Sequence, residues 1–64
     1  MTNLKRIRTD AGLTQSELAD KADISLRTLQ DYEQGRKPIN QAAALTVYRL
    51  ATTLNCKVED ILEK

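Results

Sequence analysis

The sequence predicts an all-α fold, a compact bundle of five short helices. Three observations carry this. Helix formers dominate the composition. Apolar residues recur at three- and four-residue spacing, with no strand-type alternation. The two glycines and the single proline fall where helices would stop.

The first helix is expected over about residues 2–11, with Leu4, Ile7 and Ala11 on one face and Gly12 as its stop. The second starts at Thr14, because Thr14, Gln15, Ser16 and Glu17 spell a capping box, with Leu13 placed to staple onto Leu18. Leu18, Ala19 and Ala22 face inward, and the helix stops near Asp23. The third spans about residues 25–34. Ser25 is its N-cap, Leu29, Tyr32 and Glu33 its inward face, and Gly35 its end. Only Asp23, Ile24 and Ser25 separate the two helices. So tight a turn, with small Ala19 at the approach, makes residues 14–35 a helix-turn-helix. After the basic loop of Arg36, Lys37, Pro38 and Ile39, Asn40 is expected to cap a fourth helix to about Thr53, burying Ala43, Val47, Leu50, Ala51 and Leu54. A last turn over residues 58–63 packs Val58, Ile61 and Leu62, with Glu59 and Asp60 at its positive end.

Composition excludes several classes of function. Sixty-four residues are room for one domain. One cysteine, Cys56, allows no internal disulfide, and without histidine it builds no zinc site. Cys56 reads as a small core residue. There is no signal peptide, no span for a membrane and no glycine-rich phosphate loop, and scattered Ser and Asp residues lack an organising catalytic motif. The chain reads as a cytoplasmic, non-enzymatic protein without cofactor. Its net charge is only +1, but the charges are segregated. Lys5, Arg6 and Arg8 cluster at the start and Arg36 with Lys37 in the middle. Glu17, Asp20 and Asp23 form one acidic group, and Glu59, Asp60 and Glu63 another. A polarised surface is compatible with that pattern.

The ordered set Leu13, Thr14, Gln15, Ser16, Glu17, Leu18 and Ala19, then Ile24 and Ser25, Thr28 and Leu29, Tyr32 and Glu33, and Gly35 resembles the Cro and phage-repressor type of helix-turn-helix. Members of that type include xenobiotic-response-element-like regulators. Leu4 and Arg8 upstream fit the pattern, as do Leu50, Ala51, Leu54, Asp60, Ile61 and Leu62 downstream, so the resemblance covers nearly the whole chain. It implies a single lambda-repressor-like DNA-binding domain over residues 1–64, acting on operator DNA, commonly as a homodimer, to regulate transcription. It also implies that Gln15 contacts the DNA backbone and that Arg8 pairs with Glu33. Three features depart from the pattern. The stretch between Gly35 and Leu50 is longer by roughly one helical turn. Lys57 stands where a Ser or Thr cap is usual, so the last helix is expected to fray. Asp31 places an acid on the face that should meet DNA.

The exposed face of the third helix is expected to carry Leu26, Arg27, Gln30, Asp31 and Gln34. Alone, such a face is an ordinary solvated one; after a tight turn it reads as a recognition helix. Arg27 suits guanine O6 and N7, Gln30 adenine N6 and N7, Leu26 a thymine methyl, and Asp31 a cytosine amino group. Asp31 also lies one turn after Arg27, so it either restrains that side chain or repels phosphate. Gln15 and Ser16 open the second helix and suit a phosphate, in addition to their capping role. Ser25, Thr28 and Gln34 flank the reading residues as further backbone contacts. Arg36 and Lys37 would clamp phosphates, with Asn40 adding donors from the next helix start. Arg8 and Glu33 project from otherwise apolar faces, and an ion pair there would fix the angle between their helices. Tyr32 is expected in the core, and Tyr48 in the core or at a dimer contact.

The function these residues point to is a transcriptional regulator, a repressor, acting as a homodimer on a roughly palindromic double-stranded operator. Half-sites would lie one helical turn, ~34 Å, apart. Control would come from protein concentration or a regulatory protein partner. The alternative is an interaction module, such as an antitoxin or anti-repressor partner, that keeps the fold with weak DNA binding. The modest net charge and Asp31 favour that alternative; Gln15, Arg27, Arg36 and Lys37 oppose it.

Overall fold

The computed structural model describes residues 2–63. The elements in order are α1 (Asn3–Asp10), α2 (Gln15–Ala22), α3 (Leu26–Glu33), a 3-10 turn (Ile39–Gln41), α4 (Ala44–Leu54) and α5 (Val58–Ile61). The principal pairings form a ring: α1 packs on α3, α3 on α2, α2 on α4, α4 on α5, and α5 returns to α1. Each helix sends one side chain fully into the centre: Leu4, Leu18, Leu29, Leu50 and Ile61. Ala19, Ala22, Ile39, Val47, Ala51 and Leu54 complete the core. Burying such side chains supplies the favourable folding term, at about 1.5–3 kcal/mol for each large aliphatic one.

Local chemistry sets the helix ends. Thr2, Thr14 and Ser25 cap α1, α2 and α3 by accepting from the amides of Lys5, Glu17 and Thr28. Gly12 and Gly35 take positive φ just beyond α1 and α3. Asp23 and Asn55 do the same after α2 and α4, as their short polar side chains permit. In both latter turns the next amide folds back. Ile24 donates to the Ala19 carbonyl and Cys56 to the Ala51 carbonyl, each at 3.0 Å, while Ile24 and Cys56 rest partly buried against the core. That closure makes the turn between α2 and α3 tight.

The capping box of α2 is complete. The Glu17 amide donates to Thr14 Oγ1 at 3.1 Å, and Glu17 Oε1 accepts from the Thr14 amide at 2.9 Å. The backbone hydrogen bond from Thr14, then its hydroxyl, and then nearby Lys21 hold the Glu17 carboxyl below its ordinary 4.5. A carboxylate with a lowered folded pKa stabilises the fold above its unfolded value, and the contribution disappears as pH falls through the folded pKa. Glu17→Gln is therefore expected to lower the melting temperature at neutral pH, with the deficit shrinking as pH drops below 4.5. A deficit that stays constant across thermal melts at both pH values would contradict this.

Several expectations are corrected. Asn40 does not cap the fourth helix. It sits in the 3-10 turn, where its side chain donates to the Glu63 carbonyl and accepts from the Glu63 amide. Helix α4 starts four residues later, after Ala43, which is exposed rather than buried and gives no side-chain cap. Ala11 is exposed because α1 ends before it, and half-buried Arg8 lies on the inward side instead. Helix α5 stops at Ile61, two residues short of the expected end. Lys57 offers no acceptor, but Asp60 Oδ2 accepts from the Lys57 amide at 3.0 Å, which secures that end. The segment beyond α5 is tied down twice: Asn3 donates through its amide to Glu63 Oε2 at 2.7 Å and through Nδ2 to the Leu62 carbonyl at 2.9 Å. Tyr48 is not core; it is 59% exposed. Cys56 is half-buried, and burial first, then Asp60, pushes its thiol pKa up, which disfavours the reactive thiolate.

Candidate nucleic-acid interface

Helix α3 begins at Ser25, whose hydroxyl accepts from the Thr28 amide at 3.0 Å and donates to Thr28 Oγ1 at 2.7 Å. This arrangement orients the first turn and leaves Leu26 and Arg27 standing out from it, both exposed. Gln34 at the far end is exposed too, whereas Thr28 and Gln30 are half-buried. The opposite side of α3 carries Leu29 into the core and Glu33 beneath it.

Glu33 is the centre of a polar network that joins three helices. Its side chain is 1% exposed and that of Arg8 is 11% exposed. Glu33 Oε2 accepts from Arg8 Nε at 2.7 Å, and Oε1 accepts from Arg8 Nη2 at 3.1 Å and from Gln15 Nε2 at 3.0 Å. Arg8 Nη1 donates to the Leu13 carbonyl at 2.8 Å. Gln15 Oε1 in turn accepts from Gln30 Nε2 at 3.4 Å. The bidentate fork of an arginine fixes direction as well as distance. Arg8 on α1, Gln15 at the start of α2 and Gln30 on α3 are thus held in one chain of contacts anchored by Glu33. The sequence pattern marks Leu13 only as an apolar staple; its carbonyl is also an arginine acceptor, which side-chain patterning cannot show.

Asp31 is the main correction on this face. The helical pattern places it on the exposed side, but it is buried. The loop beyond Gly35 folds back onto α3, and the amides of Arg36 and Lys37 both donate to the Asp31 carbonyl, at 2.9 and 3.2 Å. That return covers the acid and brings its neighbours to it. Arg27, Arg36 and Lys37 approach the carboxylate at 3.7, 3.6 and 3.9 Å. The acid therefore lies beneath three basic side chains that are themselves well exposed, and it does not present its oxygens outward. The signal was available in the spacing: one acid is followed within six residues by two basic ones and preceded by a third one turn earlier.

The remaining candidates surround this face. Ser16 is exposed in the first turn of α2 and Gln15 is half-buried beside it. Asn40 is exposed as a residue, with its amide group engaged on the Glu63 backbone. Arg49 on α4 reaches Asp23, in the turn between α2 and α3, at 3.7 Å. Nothing local in the sequence marks this link. No cluster of three His, Cys, Asp or Glu side chains suited to a metal ion occurs among the described residues. No helix there is long and apolar enough to cross a membrane.

Two helices joined by a closed turn, the second with one face in the core and the other outward, define a helix-turn-helix. The helix-turn-helix family model, of the Cro/C1 type, matches residues 4–61, and the chain belongs to that family. It is a DNA-binding transcriptional regulator rather than an enzyme. Among solved structures it is similar to the N-terminal DNA-binding domain of the master biofilm regulator SinR from Bacillus subtilis. The identity is 22% and the TM-score 0.77, with all of this chain and 93% of that one covered. The likeness shows a shared fold. A comparison with curated proteins gives no match.

Proposed function

We propose that residues 1–64 act as one domain in the cytoplasm, a repressor that seats α3 in the major groove as a homodimer on a roughly palindromic operator. The observation that carries the reading is the placement of Leu26 and Arg27 on the outer face of a helix whose inner face is locked by Glu33. Leu26, Arg27 and Gln30 read base edges in this account. Asp31, buried under its cations, leaves the reading set. Gln15, Ser16, Ser25, Thr28, Gln34, Arg36 and Lys37 meet the sugar-phosphate backbone and set the register, and Asn40, held on Glu63, leaves that set. The name of the SinR neighbour, a DNA-binding domain of a regulator, supports the same role. Leu45 and Tyr48, one turn apart on α4 and 57% and 59% exposed, support contact between two copies. The alternative of a partner-binding module loses part of its basis, because the acid that favoured it is covered.

The test is the salt dependence of duplex binding. Each phosphate contact adds about 0.9 to the slope of log affinity against log salt. Lys37→Ala is expected to weaken all sequences alike and to reduce that slope by about one. Binding of the wild type that is insensitive to salt, or a Lys37 variant that changes its base preference, would count against the assignment.

A further inference from the structure

The Asp31 carboxylate differs in kind from the Glu33 carboxylate, two residues further along α3 and on a different side of it. Glu33 is gripped by hydrogen bonds of 2.7–3.1 Å. Asp31 instead faces Arg27, Arg36 and Lys37 at 3.6–3.9 Å, beyond the 2.7–2.9 Å of charge-assisted hydrogen bonds. Its side chain is 10% exposed, while that of Arg27 is 81% exposed and those of Arg36 and Lys37 are each 61% exposed. The three cations are therefore attracted to one anion without being fastened to it. They come from two segments, the first turn of α3 and the loop after it, and they converge because the Asp31 carbonyl holds the amides of that loop.

From this geometry we propose that Asp31 is an internal stand-in for phosphate, a positioning residue that gathers Arg27, Arg36 and Lys37 and competes with DNA for them. The inference rests on the DNA-binding reading above and extends it to how the strength of non-specific binding is set. One acid against three bases leaves two net positive charges on this part of the face. A phosphate that arrives must draw a cation away from a carboxylate already in place. The attraction can be exchanged, because the cations are exposed and stand beyond hydrogen-bond reach of the acid. The acid thus lowers affinity for any duplex, whatever its sequence, and keeps the basic side chains assembled when no duplex is present.

The experiment is a salt titration of a short random-sequence duplex with the wild type, Asp31→Asn and Asp31→Glu. Asp31→Asn keeps the shape of the side chain and removes its charge. It is expected to steepen the salt slope by about one and to tighten random-duplex binding roughly three- to tenfold at the lowest salt. Asp31→Glu restores the charge and should return the wild-type slope. A purely structural role for Asp31 predicts the opposite sign, because a loosened face binds more weakly with a shallower slope. Weaker or unchanged binding by Asp31→Asn, with salt-dependent binding by the wild type, overturns this proposal alone. A wild type that shows no salt-dependent binding overturns the DNA-binding reading and this proposal together. A measurement on the unmodified chain guards against a variant that does not fold. The Asp31 carboxyl carbon resonance should move when duplex is added as the cations leave, and an unmoved resonance contradicts the exchange.

Discussion

Glu33→Ala is expected to cost about 3 kcal/mol of folding stability, because it leaves a buried guanidinium without its counter-charge. Arg8 is 11% exposed at its side chain, so water compensates the lost carboxylate poorly. The variant strands Arg8 Nε and Nη2 and Gln15 Nε2 at once, all donors to Glu33 in the intact network. For a domain of this size total stability is on the order of 3–10 kcal/mol, so the loss takes a large share. A domain of 60–100 residues loses about 4–8 °C per kcal/mol, which puts the fall in melting temperature at roughly 12–24 °C. The pair need not be stabilising in itself. Buried ion pairs replaced whole by apolar residues are often neutral or better. The double variant Arg8→Met with Glu33→Leu should therefore recover most of the loss in a thermal melt. It would not restore the Gln15 contact, so DNA binding should recover less than stability does. A Glu33→Ala melting temperature equal to the wild type would contradict the role given to the network.

Arg27→Ala carries the second large effect. A bidentate arginine on guanine contributes about 1–3 kcal/mol of discrimination against the wrong base. Its loss should weaken operator binding by that amount and relax preference at one position of each half-site. Arg27 lies at the second position of α3, where side chains of a recognition helix reach base edges, and it is the most exposed of the three cations around Asp31. Stability should change little, since Arg27 packs against nothing in the core. The effect is then visible in affinities for operator variants and absent from the thermal melt. Loss of affinity spread evenly over all sequences would instead place Arg27 among the phosphate contacts.

Much of the helical frame is readable because its signals are local. The Thr14 and Glu17 box, the Ser25 cap and the two glycines mark ends that backbone chemistry enforces wherever they occur. Glu33 and Arg8 betray themselves as charges on otherwise apolar faces. Other features depend on contacts distant in sequence, and periodicity has no access to them. Asn40 looks like a helix cap, but Glu63, twenty-three residues away, takes both ends of its amide. Its role as a helix start therefore passes to Ala43, with no side-chain acceptor at all. Asp31 falls on the outer side of a helical wheel drawn for a helix packed from one direction. The loop that returns over α3 packs it from a second direction, and that is what buries it. Ala11 fails for a simpler reason: it completes an apolar face on paper, while the helix has already ended at Asp10.

The outer face of α3 is expected to read a specific duplex sequence. Selection of the purified chain against a random double-stranded library, with enrichment followed at low and at physiological salt, tests it most directly. The expected result is an enriched, roughly palindromic site whose half-sites lie about one helical turn apart. Enrichment should survive the higher salt, because base contacts are less screened than phosphate contacts. No enriched sequence at either salt, from a chain that melts cooperatively, would contradict it.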